Sequence, residues 1–553
     1  MILIYNSTLI TLHFEYSRYS KKAARNLQIK EKNTDVENCG PDMPDRGICV
    51  QDPCDPEKCY VQPRVVIIGA GMAGISAAAR LAEKGITNYV ILEAMERPGG
   101  RIHSYWYNDT VVELGAGKKP DISLTHPITR LVANEDPPRP GVPGSQCPCG
   151  LLHRVVPGKL DFSPTVVAYY KFRQIEREAA QIYCLGGYKQ QGSLLNFMSI
   201  RIQQEINEFP EDQRHDAARL LFGLVHMMSA RCGSDISLLC ADNSGCYMNL
   251  PGTEVRIPLG SIGMLAPMLC KIPIGAIRFC KRVDCIYWGS AKKNDSGHRL
   301  VVCTIDGDEF SADYAIITLP LGVLRQNCKK FFCPCLPSSK LDAMRYLGYG
   351  YCNKIFLDYC RPFWAWNTHH SLNFEFNNNE SARCDWTRGI TEIAPVPNSK
   401  HVLSVTVVGC EAMQMEGQSD GNVVEAVTDL LRCCTGNKSF PYPQSVLRSH
   451  WSSSPLFCGA YSYDYYNTNG EAQRELACPL PGPNEPVPPM LLFAGEATVP
   501  GHYATIAGAQ ISGIREAERV VQLTLRYKGP PDLDVIERIK SRLDWNNIRC
   551  SNI

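Results

Sequence analysis

The stretch RVVIIGAGMAGISAAARLAEKGITNYVILEA, residues 64–94, limits what this chain can fold into more than any other. Val65–Ile68 is a short apolar run of strand length, and Gly69, Gly71 and Gly74 follow it with G-x-G-x-x-G spacing. An alanine-rich segment of helical period comes next, and a second apolar run begins at Tyr89 and ends on Glu93. Strand, glycine turn, helix and strand make a βαβ unit. The first glycine permits the tight turn, the second lets backbone approach a pyrophosphate, and the third allows close packing of helix on strand. The helix N-terminus adds a favourable dipole for phosphate, and Glu93 falls where a carboxylate accepts ribose hydroxyls. A dinucleotide site is the expectation.

At 553 residues, 44 % of them hydrophobic and 20 % charged, the chain is long enough for two cores. A formal net charge of +1 gives no field to attract nucleic acid or an anionic surface, so no nucleic-acid partner is expected. Among the 26 cysteines no pair has C-x-x-C spacing, which argues against a zinc ribbon, and no metal is expected. Cys39, Cys49, Cys54 and Cys59 cluster in a Pro/Asp-rich leader, a pattern that also suits disulfides in a secreted protein. The apolar opening MILIYNSTLITLHF lacks a basic n-region, no stretch is long and apolar enough to span a membrane, and RCSNI is not a peroxisomal tripeptide. The default compartment is cytoplasmic, with secretion as the alternative; the oligomeric state stays open.

Further along, residues 166–232 read as a helical stretch with a polar middle. IRFCKRVDCIYW, HRLVVCTIDG and YAIITLPLGVL read as strands, and MLLFAGEATVPG with the following ATIAGAQISGIREAERVVQLTLRY as a closing strand and helix. Pro/Gly-rich loops fall at 136–150 and 479–489. In GYCNKIFLDYCRPFW one lysine heads an apolar strand; alternation sends Lys354, Phe356 and Asp358 to one face and Ile355, Leu357 and Tyr359 to the other. Taken alone, Lys354 is a solvated edge lysine.

EAMERPGGRI, directly after the acid, adds a second glycine turn with a cation, Arg101, and resembles the flavin-containing amine oxidase family. The resemblance runs through residues 64–525, by way of VVELGAG, HWSSSPLFCGAYSY and LLFAGEATVPGHYATIAGAQISGIREAERV. It implies an α/β, two-domain flavin amine oxidase fold: a Rossmann-type FAD-binding domain from segments 63–125, 250–335 and 440–525, and a substrate domain of mixed sheet and helices from 126–249 and 336–439. Residues 1–62 are then a poorly ordered leader and 526–553 a tail. Implied FAD contacts are Gly69, Gly71, Gly74, Glu93, Arg101, Gly115, Ala116, Val283 at the adenine, Trp451 at the dimethylbenzene edge, Gly495, Glu496, Thr505 and Ile506. By the same resemblance Lys354, in NKIFL with Phe363 and Trp364 following, holds a water beside the flavin, and Tyr461 is an aromatic wall of the substrate cage.

The implied reaction is hydride transfer from a neutral amine to FAD, hydrolysis of the imine to aldehyde and a shorter amine, and reoxidation by oxygen with release of hydrogen peroxide. Ala460 stands where monoamine oxidases carry the cysteine that tethers flavin, so non-covalent FAD is expected, with Cys458 the one other candidate tether. Spermine and acetyl-polyamine oxidases are closest in texture. Three departures stand against that substrate. Gly117, Lys118, Lys119 and Pro120 follow ELGA, placing two cations that would each repel a polycation by on the order of 1 kcal/mol. The acidic residues that hold distal ammonium groups have no clear counterpart in MMSARCGSDISLL, where Arg231 stands nearby, and Ala507 replaces a histidine. An oxidase of another amine or amino acid, or a flavin-binding protein without turnover, are the alternatives.

Overall fold

A computed structural model of the chain describes residues 49–52, 55–117, 121–122, 152–154, 162–184, 192–241, 253–254, 260–289, 300–361, 373–375, 385–396, 399–435, 437–465, 470–481, 488–527 and 529. Its central element is a parallel five-stranded sheet in the order Ile277–Arg278, Tyr89–Leu92, Val65–Ile68, Tyr314–Ile317, Leu491–Phe493. Both faces are covered, which is why these strands are apolar without alternation. Val65, Ile67, Ile91 and Ile316 pack on one side with the helices Met72–Glu83 and Ile506–Tyr527, while Val66, Ile68, Ile317 and Phe493 pack on the other around Leu321, Leu324 and Phe332. Gly74 sits where helix and strand meet: a Cβ there would lie 1.9 Å from the Gly69 carbonyl oxygen, so no larger residue fits.

A second, antiparallel sheet has the order Ile390–Pro395, Val402–Val408, Cys352–Asp358, Ser445–Arg448. Its two faces obey the period of two. Ile355, Leu357 and Tyr359 join Ile393, Val405 and Val407 in a core closed by the helices Cys410–Glu416 and Asp420–Thr435. Lys354 and Phe356 face the other way, and Asp358 is buried against the Asn108 amide, which donates to it at 2.7 Å.

One reading of the sequence is corrected, and the helical reading of 166–232 holds in finer detail. YAIITLPLGVL is strand only through Ile317; Pro320 caps a helix, Leu321–Phe331, because proline is pre-set for a helix start and donates no ladder hydrogen bond. The stretch 166–232 is three α-helices, Phe162–Cys184, Leu194–Ile206 and Arg214–Met228, around one core. Ser193 starts the second by accepting from the Asn196 N–H at 3.2 Å. No helix among the described residues is long and apolar enough to cross a membrane. The leader through 48, the whole loop at 136–150, the tail beyond 529, and Lys118, Lys119, Pro120, Phe363 and Trp364 lie outside the described residues.

Candidate active site

Beyond the C-terminal end of the Val65–Ile68 strand the two glycine turns meet. Gly71 and Gly99 pair as a parallel bridge, and Gly99 donates to the Ala70 carbonyl at 2.8 Å. Gly99 has φ +103, and a Cβ would lie 2.7 Å from the Ile102 oxygen, so glycine alone fits the turn. The Arg97 guanidinium braces it from outside, donating to the carbonyls of Pro98, Gly100 and Ile102 at 3.1, 2.9 and 3.2 Å. Glu93 accepts from the backbone N–H groups of Ala70 and Met95 at 2.7 and 2.8 Å. Burial pushes its carboxyl above the usual range, against those N–H groups, which favour the anion. The cradle leaves backbone exposed to a large cavity and ends on a carboxylate, which is what a dinucleotide requires.

On the far side, the Arg101 guanidinium donates to the Ala460 carbonyl at 2.7 Å and pairs with Glu496 at 2.9 Å. Glu496 is buried and also accepts from the Ser462 hydroxyl at 2.6 Å and the Ala504 N–H at 2.8 Å. This pair ties the second glycine turn to the closing strand across 395 residues of sequence. Thr505 accepts from the Gly508 N–H at 2.9 Å, starting the helix Ile506–Tyr527 at the cavity wall.

The lysine strand closes the site. Lys354 Nζ donates to the carbonyls of Glu113 and Gly115 at 2.9 and 2.8 Å, and Trp451 Nε1 donates to Leu114 between them at 2.9 Å. Three successive carbonyls are thus held by two side chains. Trp451 meets Phe457 and His103 edge to face, and burial, with Arg97 nearby, lowers His103 to about 4, so its ring is neutral. Asn353 sits fully buried beneath: its oxygen accepts from the Ser449 hydroxyl and the Trp451 N–H at 3.0 and 3.1 Å, and its amide donates to Glu416 at 2.6 Å. The Tyr461 hydroxyl donates to the Ala230 carbonyl at 2.6 Å, fixing the ring against the helical wall.

One cavity of about 1220 Å³ is lined by Gly69, Gly71, Glu93, Arg101, Gly115, Ala116, Val283, Trp451, Gly495, Glu496, Thr505 and Ile506, together with Lys354 and Tyr461. Gly74 alone of the expected residues lies off it, beneath the turn. The volume exceeds what a drug-sized ligand fills and leaves room for a cofactor and a substrate. Sequence reasoning missed Asn353, Glu113 and Glu392. Glu113 accepts from Ser104 and from the Ser261 N–H at 2.9 and 2.6 Å, and burial raises its carboxyl. Glu392 lines the cavity on the lysine sheet.

A parallel sheet with a glycine cradle at its carboxyl edge, opening on a large cavity, is an arrangement suited to a dinucleotide. The chain belongs to the family of flavin containing amine oxidoreductases, whose profile matches residues 72–521. It is 32 % identical to "Protein anon-37Cs" of Drosophila lebanonensis over 83 % of this chain and 87 % of that one. It is 32 % identical to the human peroxisomal N(1)-acetyl-spermine/spermidine oxidase, covering 83 % of this chain and 95 % of that one. Identity to polyamine oxidase 1 of rice, Oryza sativa subsp. japonica, is 28 % over 85 % and 98 % respectively. The cofactor is FAD, and the residues gathered at the cavity fit it.

Proposed function

We propose that the protein is an FAD-dependent oxidase of amines, most suited to polyamines, with oxygen as acceptor and hydrogen peroxide as product. The observation that carries this reading is the Lys354 ammonium, held on the carbonyls of Glu113 and Gly115 in the same cavity as the glycine cradle. The parallel sheet and its turns form the FAD-binding part; the antiparallel sheet with the helices of residues 162–228 forms the substrate side. Gly69, Gly71, Glu93, Arg101, Val283, Gly495 and Glu496 would hold the cofactor. FAD supplies the acceptor for the amine's α-hydrogen and passes electrons on to oxygen.

The chain's own work is positioning and charge. Tyr461 and Trp451 present rings to the cavity and displace water, which keeps an entering amine neutral by desolvation. Lys354 would supply a fixed cation to stabilise the negative charge that develops on reduction and on oxygen activation.

Non-covalent FAD is supported by Ala460, whose carbonyl is taken by Arg101, and by Cys458, which does not line the cavity and whose thiol burial makes less acidic. Acid precipitation should leave all yellow flavin in the supernatant; colour retained in the washed pellet would reverse this.

A second reading, oxidation of an amine bearing an anionic group, is favoured by Arg173 and Arg231 on the helical wall, each holding one oxygen of Glu176 at 2.5 Å. Anaerobic mixing of the protein with spermine, acetylspermine, monoamines and amino acids separates the two readings. Bleaching of the oxidised flavin band by polyamines is the expected result. Bleaching by amino acids alone would establish the second reading, and an unbleached flavin across the panel would remove both.

A further inference from the structure

We propose that Glu392 takes a second ammonium group of the substrate, making this cavity selective for amines with two cationic centres; the inference rests on the amine-oxidase reading above and names its substrate class. Local irregularity in the strand directs this side chain. Along Ile390–Pro395 the pairing with Val402–Val408 runs Ile390 to Val407, then Glu392 to Thr406, then Ile393 to Val405, with a bulge that skips Thr391. Without the extra residue Glu392 would stand opposite Val405, on the face packed into the apolar core. The bulge turns it to the face of Thr406 and Lys354, and all three line the cavity.

Lys354 pairs with Thr406 from one side and Glu392 from the other, so lysine and glutamate stand two strand spacings apart, about 10 Å. That is far for an ion pair but suits the two ends of a short alkyl arm. Their mutual attraction falls off with that separation.

The other carboxylates on this half of the cavity are engaged. Glu176 is held by Arg173 and Arg231, Asp109 by the Ser399 hydroxyl at 2.6 Å, and Glu113 by Ser104 and Ser261. Asp464 is buried and has its own partners. Glu392 is half-buried and has no hydrogen-bond or ion-pair partner among the described residues. A half-buried carboxylate that lines a cavity and pairs with no described protein cation invites one from the ligand.

The test is equilibrium titration of the FAD-loaded full chain, under anaerobic conditions, with α,ω-diaminooctane and with octylamine, read as perturbation of the oxidised flavin spectrum. Where an amine reduces the flavin, the concentration dependence of the bleaching rate gives the same constant. The wild type should bind the diamine at least about tenfold more tightly than the monoamine, Glu392→Gln should bring that ratio to within about twofold of unity, and Glu392→Asp should restore part of it. The flavin band reports that each variant is folded and loaded. A preference that survives in Glu392→Gln, or a wild type without one, overturns the proposal. If no amine reduces the flavin the oxidase reading fails, while the binding ratio still decides the role of Glu392.

Discussion

Lys354→Met should leave FAD bound and slow reoxidation by oxygen by on the order of 100-fold, the effect of removing one pre-organised charge or donor from a buried site. Methionine matches the length of the lysine stem and keeps the strand's packing, so the change isolates the ammonium group. The cofactor cradle is built elsewhere, on Gly71, Glu93, Arg101 and Glu496. The variant does leave the carbonyls of Glu113 and Gly115 without their donor. Trp451 still holds Leu114 between them, so the turn should persist. Stopped-flow mixing of the photoreduced protein with oxygen measures the step directly, without an amine substrate. Oxygen kinetics unchanged at full flavin content would reduce Lys354 to a brace for that turn.

What the sequence made legible was whatever is encoded over a few neighbouring residues. The βαβ unit announces itself because both strands are apolar on both faces and the glycines sit at fixed offsets. The lysine strand could be split into faces because Ile355, Leu357 and Tyr359 alternate with Lys354 and Phe356, and the core does lie on the former side. Long-range pairing left no such mark. Nothing local to Arg101 says that its guanidinium meets Glu496, and nothing in SARC says that Ala230 receives the Tyr461 hydroxyl. Glu392 is the sharpest case. RGITEIAP read with strict alternation puts Thr391 and Ile393 on one face and Glu392 on the other, yet which face meets the core depends on a bulge set by the partner strand. The break at Pro320, by contrast, was readable: a proline after an apolar strand is a stop and a helix start, and the apolar LGVL masked it.

Lys340→Met should lower stability by about 3 kcal/mol, more than most single substitutions, through a site with no place in the chemistry. Lys340 is fully buried, on the helix Ser338–Tyr346, and its ammonium caps the C-terminus of the helix Glu471–Ala477, donating to the carbonyls of Glu475, Leu476 and Cys478. It also lies 4.7 Å from the centroid of the Phe493 ring, where the ring's negative face favours a cation. A lysine at a helix C-terminus satisfies carbonyls that have no intrahelical partner and meets the negative end of the dipole. Methionine fills the space and removes every donor at once, leaving buried acceptors bare. Removing a buried charge also relieves its desolvation, which offsets part of the loss and keeps the expected figure well below the sum of the separate bonds. Phe493 ends the strand that leads through Ala494 and Gly495 to Glu496, so the loosened helix should also weaken flavin retention. Urea unfolding of the flavin-free protein gives the first quantity and dialysis of the loaded protein the second. An unfolding midpoint equal to wild type would mean that the helix end finds water or another donor, and that the lysine is accommodated there rather than required.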